Sequence, residues 1–318
     1  MKPAARRRAR ALRLARRTGL PRTEARLAAQ ASTSNGSMRS AASPVTSGKD
    51  PDETPPVPEK AVSVLGDVWT LGRHRLLCAS SSREEARAFF GSPDCILTDP
   101  PYCSGGFQEG GKSAGSVGTS ATHKQIANDR LSTRGYQSLM TDAVFGIPSQ
   151  FFYVFTDWRM WISLFDMAEA SGAGARSMIV WDKGTPGMGR GWRAQHELIL
   201  WACRDTPPYP HKFGGDGNVL SRKRTGNLLH TTEKPVNVIQ DLIKGVPFAK
   251  TIADPFGGSG TTLIACEIEG VTCLAAELDP LYVDVTVKRW QDFTGKQAIH
   301  EGTGLTFEEL TKKRSKGK

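Results

Sequence analysis

Seven short runs rich in β-branched and aromatic residues recur along the middle of the chain, at 75–78, 94–98, 151–155, 177–181, 197–202, 251–253 and 272–276. Stretches with helical spacing lie among them, at 83–90, 136–145, 158–170, 235–246, 261–269 and 280–294. This alternation predicts an α/β domain with helices on both faces of a mostly parallel sheet. In such sheets ligands bind beyond the carboxyl ends of the strands. The residues that directly follow each run are therefore where chemistry is to be sought.

Two of those positions are unusual. The run at 94–98 leads straight into Asp99-Pro100-Pro101-Tyr102. Proline fixes φ and has no N–H, so Pro100-Pro101 makes a rigid, extended turn. It holds the Asp99 carboxylate, the Pro100 carbonyl and the Tyr102 ring in one arrangement. Two acceptors beside a flat aromatic face suit a planar group that bears an NH₂. Asp-Pro alone would read as an ordinary turn; the full four-residue pattern at a strand end is far more specific.

The run at 251–253 leads into Asp254-Pro255-Phe256-Gly257-Gly258-Ser259-Gly260-Thr261, a glycine-rich loop that opens a helix. Glycines let a ligand approach the backbone closely, and a helix N-terminus favours negative charge. A P-loop would need a lysine after Gly260, and a dinucleotide fingerprint would need a third glycine where Leu263 stands. The next run ends in Glu277-Leu278-Asp279. An acid at the end of the second strand usually holds ribose hydroxyls. The pattern implies a nucleoside-bearing ligand without a pyrophosphate.

Charge is divided unevenly. Residues 1–60 carry 13 basic and 5 acidic side chains, a net of +8, and residues 311–318 carry five basic residues and no acid. The body between them has 24 basic against 27 acidic residues, which argues against a wholly basic nucleic-acid coat protein. The expected organisation is a basic tail with a proline-rich linker (1–60), one domain (61–300) and a basic C-terminal tail (301–318). No apolar run is long enough to cross a membrane. The six cysteines form no Cys-x-x-Cys pair, so no metal site is expected, and they read as reduced thiols of a cytoplasmic protein. The tryptophans read as packing residues, with Trp192 the best candidate for an exposed one.

Together these motifs resemble the amino-methylating DNA methyltransferases that use S-adenosylmethionine. Asp99–Tyr102 matches the catalytic motif of that family, and 254–261 its cofactor motif. The catalytic motif comes first, as in the family's β group. His230-Thr231-Thr232-Glu233-Lys234-Pro235 is similar to a further segment of that group, and 69–78 to its opening hairpin. One departure stands out: Ala79-Ser80-Ser81-Ser82 occupies the place where family members often have Gly-Asp, whose acid contacts the adenine of the cofactor.

The resemblance implies a Rossmann-like, doubly wound mixed sheet with a small target-recognition insertion, acting on double-stranded DNA. Asp99, Pro100, Pro101 and Tyr102 would be catalytic. Asp254, Pro255, Phe256, Gly257, Gly258, Ser259, Gly260, Thr261, Glu277 and Asp279 would hold the cofactor. His230 and Lys234 would either touch it or cap a helix. The stretch 103–132 would form a lid. The segment 204–229 would read DNA, through Arg204, Lys212, Arg222, Lys223 and Arg224. Adenine N6 is the preferred target because the catalytic motif begins with Asp. Cytosine N4, an RNA or protein-glutamine substrate, and an inactive DNA-binding relic are the alternatives. A homodimer and a partner restriction endonuclease stay open.

Overall fold

The computed structural model describes residues 49–102, 131–187, 190–205, 217–224 and 234–316. They belong to the compact unit Pro44–Lys318. The basic stretch 1–48 and most of the expected lid lie outside the described residues, as do Lys212 and His230.

The described strands are β1 (Val68–Leu71), β2 (His74–Cys78), β3 (Cys95–Thr98), β4 (Phe151–Thr156), β5 (Gly174–Asp182), β6 (His196–Cys203), β7 (Val219–Ser221), β8 (Thr251–Asp254), β9 (Thr272–Glu277) and β10 (Ile299–His300). They form one sheet in the order β10-β1-β2-β9-β8-β3-β4-β6-β5-β7. Neighbours from β2 to β4 all run parallel. β6 runs antiparallel between β4 and β5. The sheet is therefore mixed, in agreement with the expected fold class.

The helices are α1 (Glu84–Phe90), α2 (Thr133–Met140), α3 (Trp161–Ala170), α4 (Val236–Lys244), α5 (Thr261–Glu269), α6 (Pro280–Thr294) and α7 (Phe307–Lys316). None of them is long and apolar enough to cross a membrane. α2 runs on into a wider π-helical turn, Thr141–Phe145. α3 starts later than the spacing predicts because the Asp157 carboxylate accepts from the Arg159 and Met160 amides at 2.9 and 3.0 Å. That holds 158–160 as a turn.

Alternating residues of the central strands feed two cores. Cys95 and Leu97 of β3, with Phe151, Tyr153 and Phe155 of β4, pack with α4, α5, α6 and α7. Ile96, Phe152 and Val154 point the other way, toward α1, α2 and α3. A strand buried on both faces has to be continuously apolar, which is why β3 and β4 read as unbroken runs.

Two expected boundaries need correction. The segment 50–59, read as a linker, packs onto the body. Asp52 accepts from the Val236 amide at 2.8 Å at the start of α4, and the Pro51 carbonyl accepts from Arg289 at 2.9 Å. The segment from 301, read as a tail, carries α7, which buries Phe307 and Leu310. Arg314 in α7 donates to both oxygens of Asp67. Counting charge hid the apolar anchors of α7: a helix with one buried face stays basic on the other.

Candidate active site

β3 leads onward to β4 on one side of the sheet, and its other neighbour, β8, leads onward to β9 on the opposite side. The crevice at the carboxyl ends of β3 and β8 is thus a point where the winding reverses, the usual ligand site of such sheets. Asp99 follows β3, the glycine-rich loop follows β8, and Glu277 ends β9. Three neighbouring strands deliver both sequence motifs to one edge.

The two motifs are joined below the surface. Thr98 donates to Asp254 Oδ1 at 2.6 Å, and the Phe256 amide donates to the same oxygen at 3.1 Å. Asp254 is only 3 % exposed. Burial pushes its carboxyl up to about 6, against these hydrogen bonds. Its geometry is that of a brace between β8 and β3. The loop then turns at Gly260, whose φ is +86°. A Cβ there would lie 2.7 Å from Thr286 Cγ2, so glycine is required both by conformation and by the close approach of α6. Arg289, also in α6, donates to the Ser259 carbonyl and to Thr261 Oγ1 and ties the loop to the Pro51 strap.

Glu277 accepts the Gly258 amide on one oxygen and the Asp279 amide on the other, both at 2.8 Å. Burial raises its carboxyl to about 7. Asp279, expected beside the cofactor, accepts from the Leu281 amide at 2.9 Å and is the N-cap of α6.

Around Asp99 the side chains form a charged cluster. Lys234 Nζ lies 2.5 Å from Asp99 Oδ2 and 3.1 Å from Glu197 Oε2. Lys183 Nζ lies 2.5 Å from Glu197 Oε1. Tyr102 donates to Asp99 Oδ1, and its hydroxyl is 3.4 Å from Glu197 Oε2. Lys234 also sits 5.4 Å from the centres of the Tyr102 and Phe155 rings. It is 8 % accessible, whereas Asp99, just past the carboxyl end of β3, keeps 31 %.

The electrostatics follow from that packing. Burial raises the Asp99 carboxyl above its ordinary range; Lys234 pulls it back and Glu197 adds to the rise. Burial would raise Glu197 as well, but two lysines hold it at about 2. Burial would lower Lys234, yet two carboxylates keep it above the usual lysine value. Tyr102 is pushed well above 10 by burial and by both acids, so it stays a donor. The result is a permanently charged pair, Glu197 and Lys234, beside a more basic Asp99.

Lys234 was expected at the cofactor or as a helix cap; the structure brings it to Asp99. Glu197 and Lys183 were not foreseen. The one signal for Glu197 is an acid opening an apolar run, His196-Glu197-Leu198-Ile199-Leu200. Because β6 is antiparallel, its first residues reach the carboxyl ends of its neighbours, where Asp182 pairs with His196.

The expected DNA-contacting residues do not stay together. Arg204 turns inward and donates to the carbonyls of Phe145, Ile147 and Ser149 at 2.7 to 3.2 Å, so its guanidinium holds the end of the π-helical turn. Arg222 pairs with Asp241 at 3.0 Å. Lys223 and Arg224 are exposed. Arg224 stands close enough to Lys183 to help burial lower the pKa of that lysine. Among the described residues no group of three or more His, Cys, Asp or Glu side chains is arranged to hold a metal ion.

The sequence model of the DNA methylase family, of the N6/N4 type, matches residues 93–288, more than half of the chain. YubD of Escherichia coli (strain K12), which carries a provisional methylase name, is 28 % identical over 186 residues, 58 % of this chain and 76 % of YubD. Among solved structures, the cytosine-N4-specific PvuII DNA methyltransferase is similar with a TM-score of 0.53 at 14 % identity, over 80 % of this chain and 93 % of that one. TTHA0409 of Thermus thermophilus, provisionally named a DNA modification methylase, gives 0.50 at 18 % identity, over 73 % and 97 %. At these identities the two structures share the fold.

Proposed function

The chain belongs to the DNA methylase family, and from that premise we propose that it moves the methyl group of S-adenosylmethionine onto the N6 amine of an adenine swung out of duplex DNA. The observation that supports this reading best is the position of Asp99. It follows β3 with its side chain 31 % accessible, next to the strand that carries the cofactor motif and two strands from Glu277.

The residues present suit that cofactor. Glu277 offers carboxylate oxygens for a ribose diol. The 257–260 backbone offers close approach, and a Cβ on Gly258 would meet nothing within 4 Å. The start of α5 suits a carboxylate, and Phe256 and Pro255 supply apolar walls. When bound, the cofactor supplies an electrophilic methyl group; the protein contributes position and exclusion of water.

Asp99 and the Pro100 carbonyl accept the two hydrogens of the exocyclic amine and aim its lone pair. As the new N–C bond forms, that nitrogen becomes positive and sheds a proton. Asp99, more basic than an exposed aspartate, is placed to take it. Tyr102 stacks on the base, which has to leave the duplex to reach the pocket. Lys223 and Arg224 serve as phosphate contacts. The homodimer and the partner nuclease rest on the resemblance alone.

Nucleosides from DNA treated with the protein, analysed by mass spectrometry, test the reading. N6-methyladenine is expected. N4-methylcytosine would overturn the choice of base, and transfer to RNA or to protein glutamine but not to DNA would overturn the substrate.

Glu277 adds a pH dependence. Its carboxyl, raised to about 7 by burial, must ionise to accept both ribose hydroxyls well beside a cationic ligand. Cofactor affinity should therefore fall as the pH drops from 8 to 6, by up to about tenfold per unit below 7. In the free protein the sign is opposite: raised from 4.5, the carboxyl favours the folded state at low pH and loses that contribution as the pH rises through about 7. Calorimetry across this range checks it; Glu277→Gln should bind weakly and without the slope.

A further inference from the structure

β5 and β6 continue beyond the end of the sheet, described over 183–187 and 190–195, at the same end as Asp99. The base of this extension is held firmly. The Lys183 amide donates to the Gln195 carbonyl at 3.0 Å, and Gly187 to Ala194 at 3.0 Å. Asp182 accepts from the Gly184 amide at 2.9 Å and from the Gln195 side chain at 2.8 Å. Lys183 is buried against Glu197, which touches Lys234, which touches Asp99. The base of the extension is thus two side chains away from the catalytic carboxylate.

The tip differs from the base. Arg190, Trp192 and Arg193 are exposed, and Trp192 is fully so at 105 %. Gly191 between them has φ +72°, a turn that only glycine adopts freely. Residues 183–195 hold Lys183, Arg190 and Arg193 and no acid. One exposed apolar side chain is ordinary on any surface. A fully exposed indole flanked by two arginines, at the same end of the sheet as the crevice, is a specific combination. The four residues from His196 back to Trp192 reach at most about 13 Å beyond the sheet when extended. A major groove is about 8.5 Å deep, which lies within that limit.

We propose that Trp192 is a DNA wedge: its indole stacks inside the duplex at the step vacated by the target base, while Arg190 and Arg193 hold the flanking phosphates. The inference rests on the DNA-methylating reading above and adds the element that stabilises the opened duplex. Indole is the largest stacking surface among side chains, base–aromatic stacking tolerates any sequence, and apolar side chains are used in this way to unstack base steps. The arginines match the charge of the backbone and fix the indole against it.

The test uses the full chain with unmodified plasmid DNA, supplied as duplex and as heat-denatured strands, and labelled S-adenosylmethionine. Trp192→Ala should raise the KM for duplex by about tenfold and change that for single strands by less than about twofold, since a single strand has no step to hold open. Its melting temperature and its affinity for the cofactor should match the wild type, because the side chain is fully exposed. Trp192→Phe should recover most of the loss. Replacing Arg190 and Arg193 with alanine should lower the slope of log affinity against log salt by about 2. A Trp192→Ala protein with wild-type kinetics on duplex overturns the wedge and leaves the methylating function intact. Equal losses on duplex and single strands also overturn it, by assigning the residue to the pocket or the fold. A wild-type protein that labels neither form of DNA removes the underlying function instead.

Discussion

Asp99→Ala is expected to slow methyl transfer by about 10²- to 10⁴-fold, the range for losing a positioned proton acceptor, while cofactor affinity stays within a few-fold of the wild type. The two effects separate because the side chain faces the crevice from β3, whereas the glycine-rich loop and Glu277 belong to β8 and β9. The fold should tolerate the change: Lys234 would keep Glu197 at 3.1 Å, and Glu197 would keep Lys183. Asp99→Asn is the sharper control. It keeps the shape and one acceptor but cannot take the proton, so its loss should approach that of alanine. Single-turnover rates with saturating DNA measure the effect. Wild-type turnover in Asp99→Ala would refute the assignment of this carboxylate, whatever the cofactor does.

Lys234→Met should have the largest effect on stability, about 3 kcal/mol, because Asp99 loses its buried cation and Glu197 is left with Lys183 alone. The melting temperature should fall on the order of 10 °C. Its kinetic signature is distinct from mere loosening. Burial and Glu197 both raise Asp99, and Lys234 is what holds it down. Without the lysine Asp99 should protonate at a higher pH, so the acidic limb of the kcat profile should move upward. Glu197→Gln should move that limb the other way, since it removes a neighbouring negative charge. A Lys234→Met protein whose acidic limb stays in place would show that Lys234 supports the fold without tuning Asp99.

Both predictions depend on residues of unequal legibility. Asp99 was legible because its signal is local: a buried run, then an acid, then two prolines that leave the backbone little choice. The glycine-rich loop was legible for the same reason, as was Glu277 at the next strand end. Glu197 was not. One acid at the start of an apolar run has the same appearance whether the strand runs parallel or antiparallel, and only the antiparallel direction of β6 brings its first residues to the crevice. Arg204 shows the converse error. A basic residue after a strand reads as a surface contact, yet three carbonyls at the end of a π-helical turn claim its guanidinium. No charge count along the chain detects unsatisfied carbonyls contributed by residues more than fifty positions away.

The division has a physical basis. The order of strands and helices, the two motifs and the crevice they meet in follow from periodicity and from backbone restrictions at proline and glycine, which act over a few residues. The sequence by itself therefore determined the fold class and the placing of the two motifs at strand ends. The charge state of Asp99, the inward turn of Arg204 and the docking of 49–60 and α7 depend on which distant groups share a low-dielectric space. Such pairings appear only when the strands are in register, so the tertiary structure alone decided them.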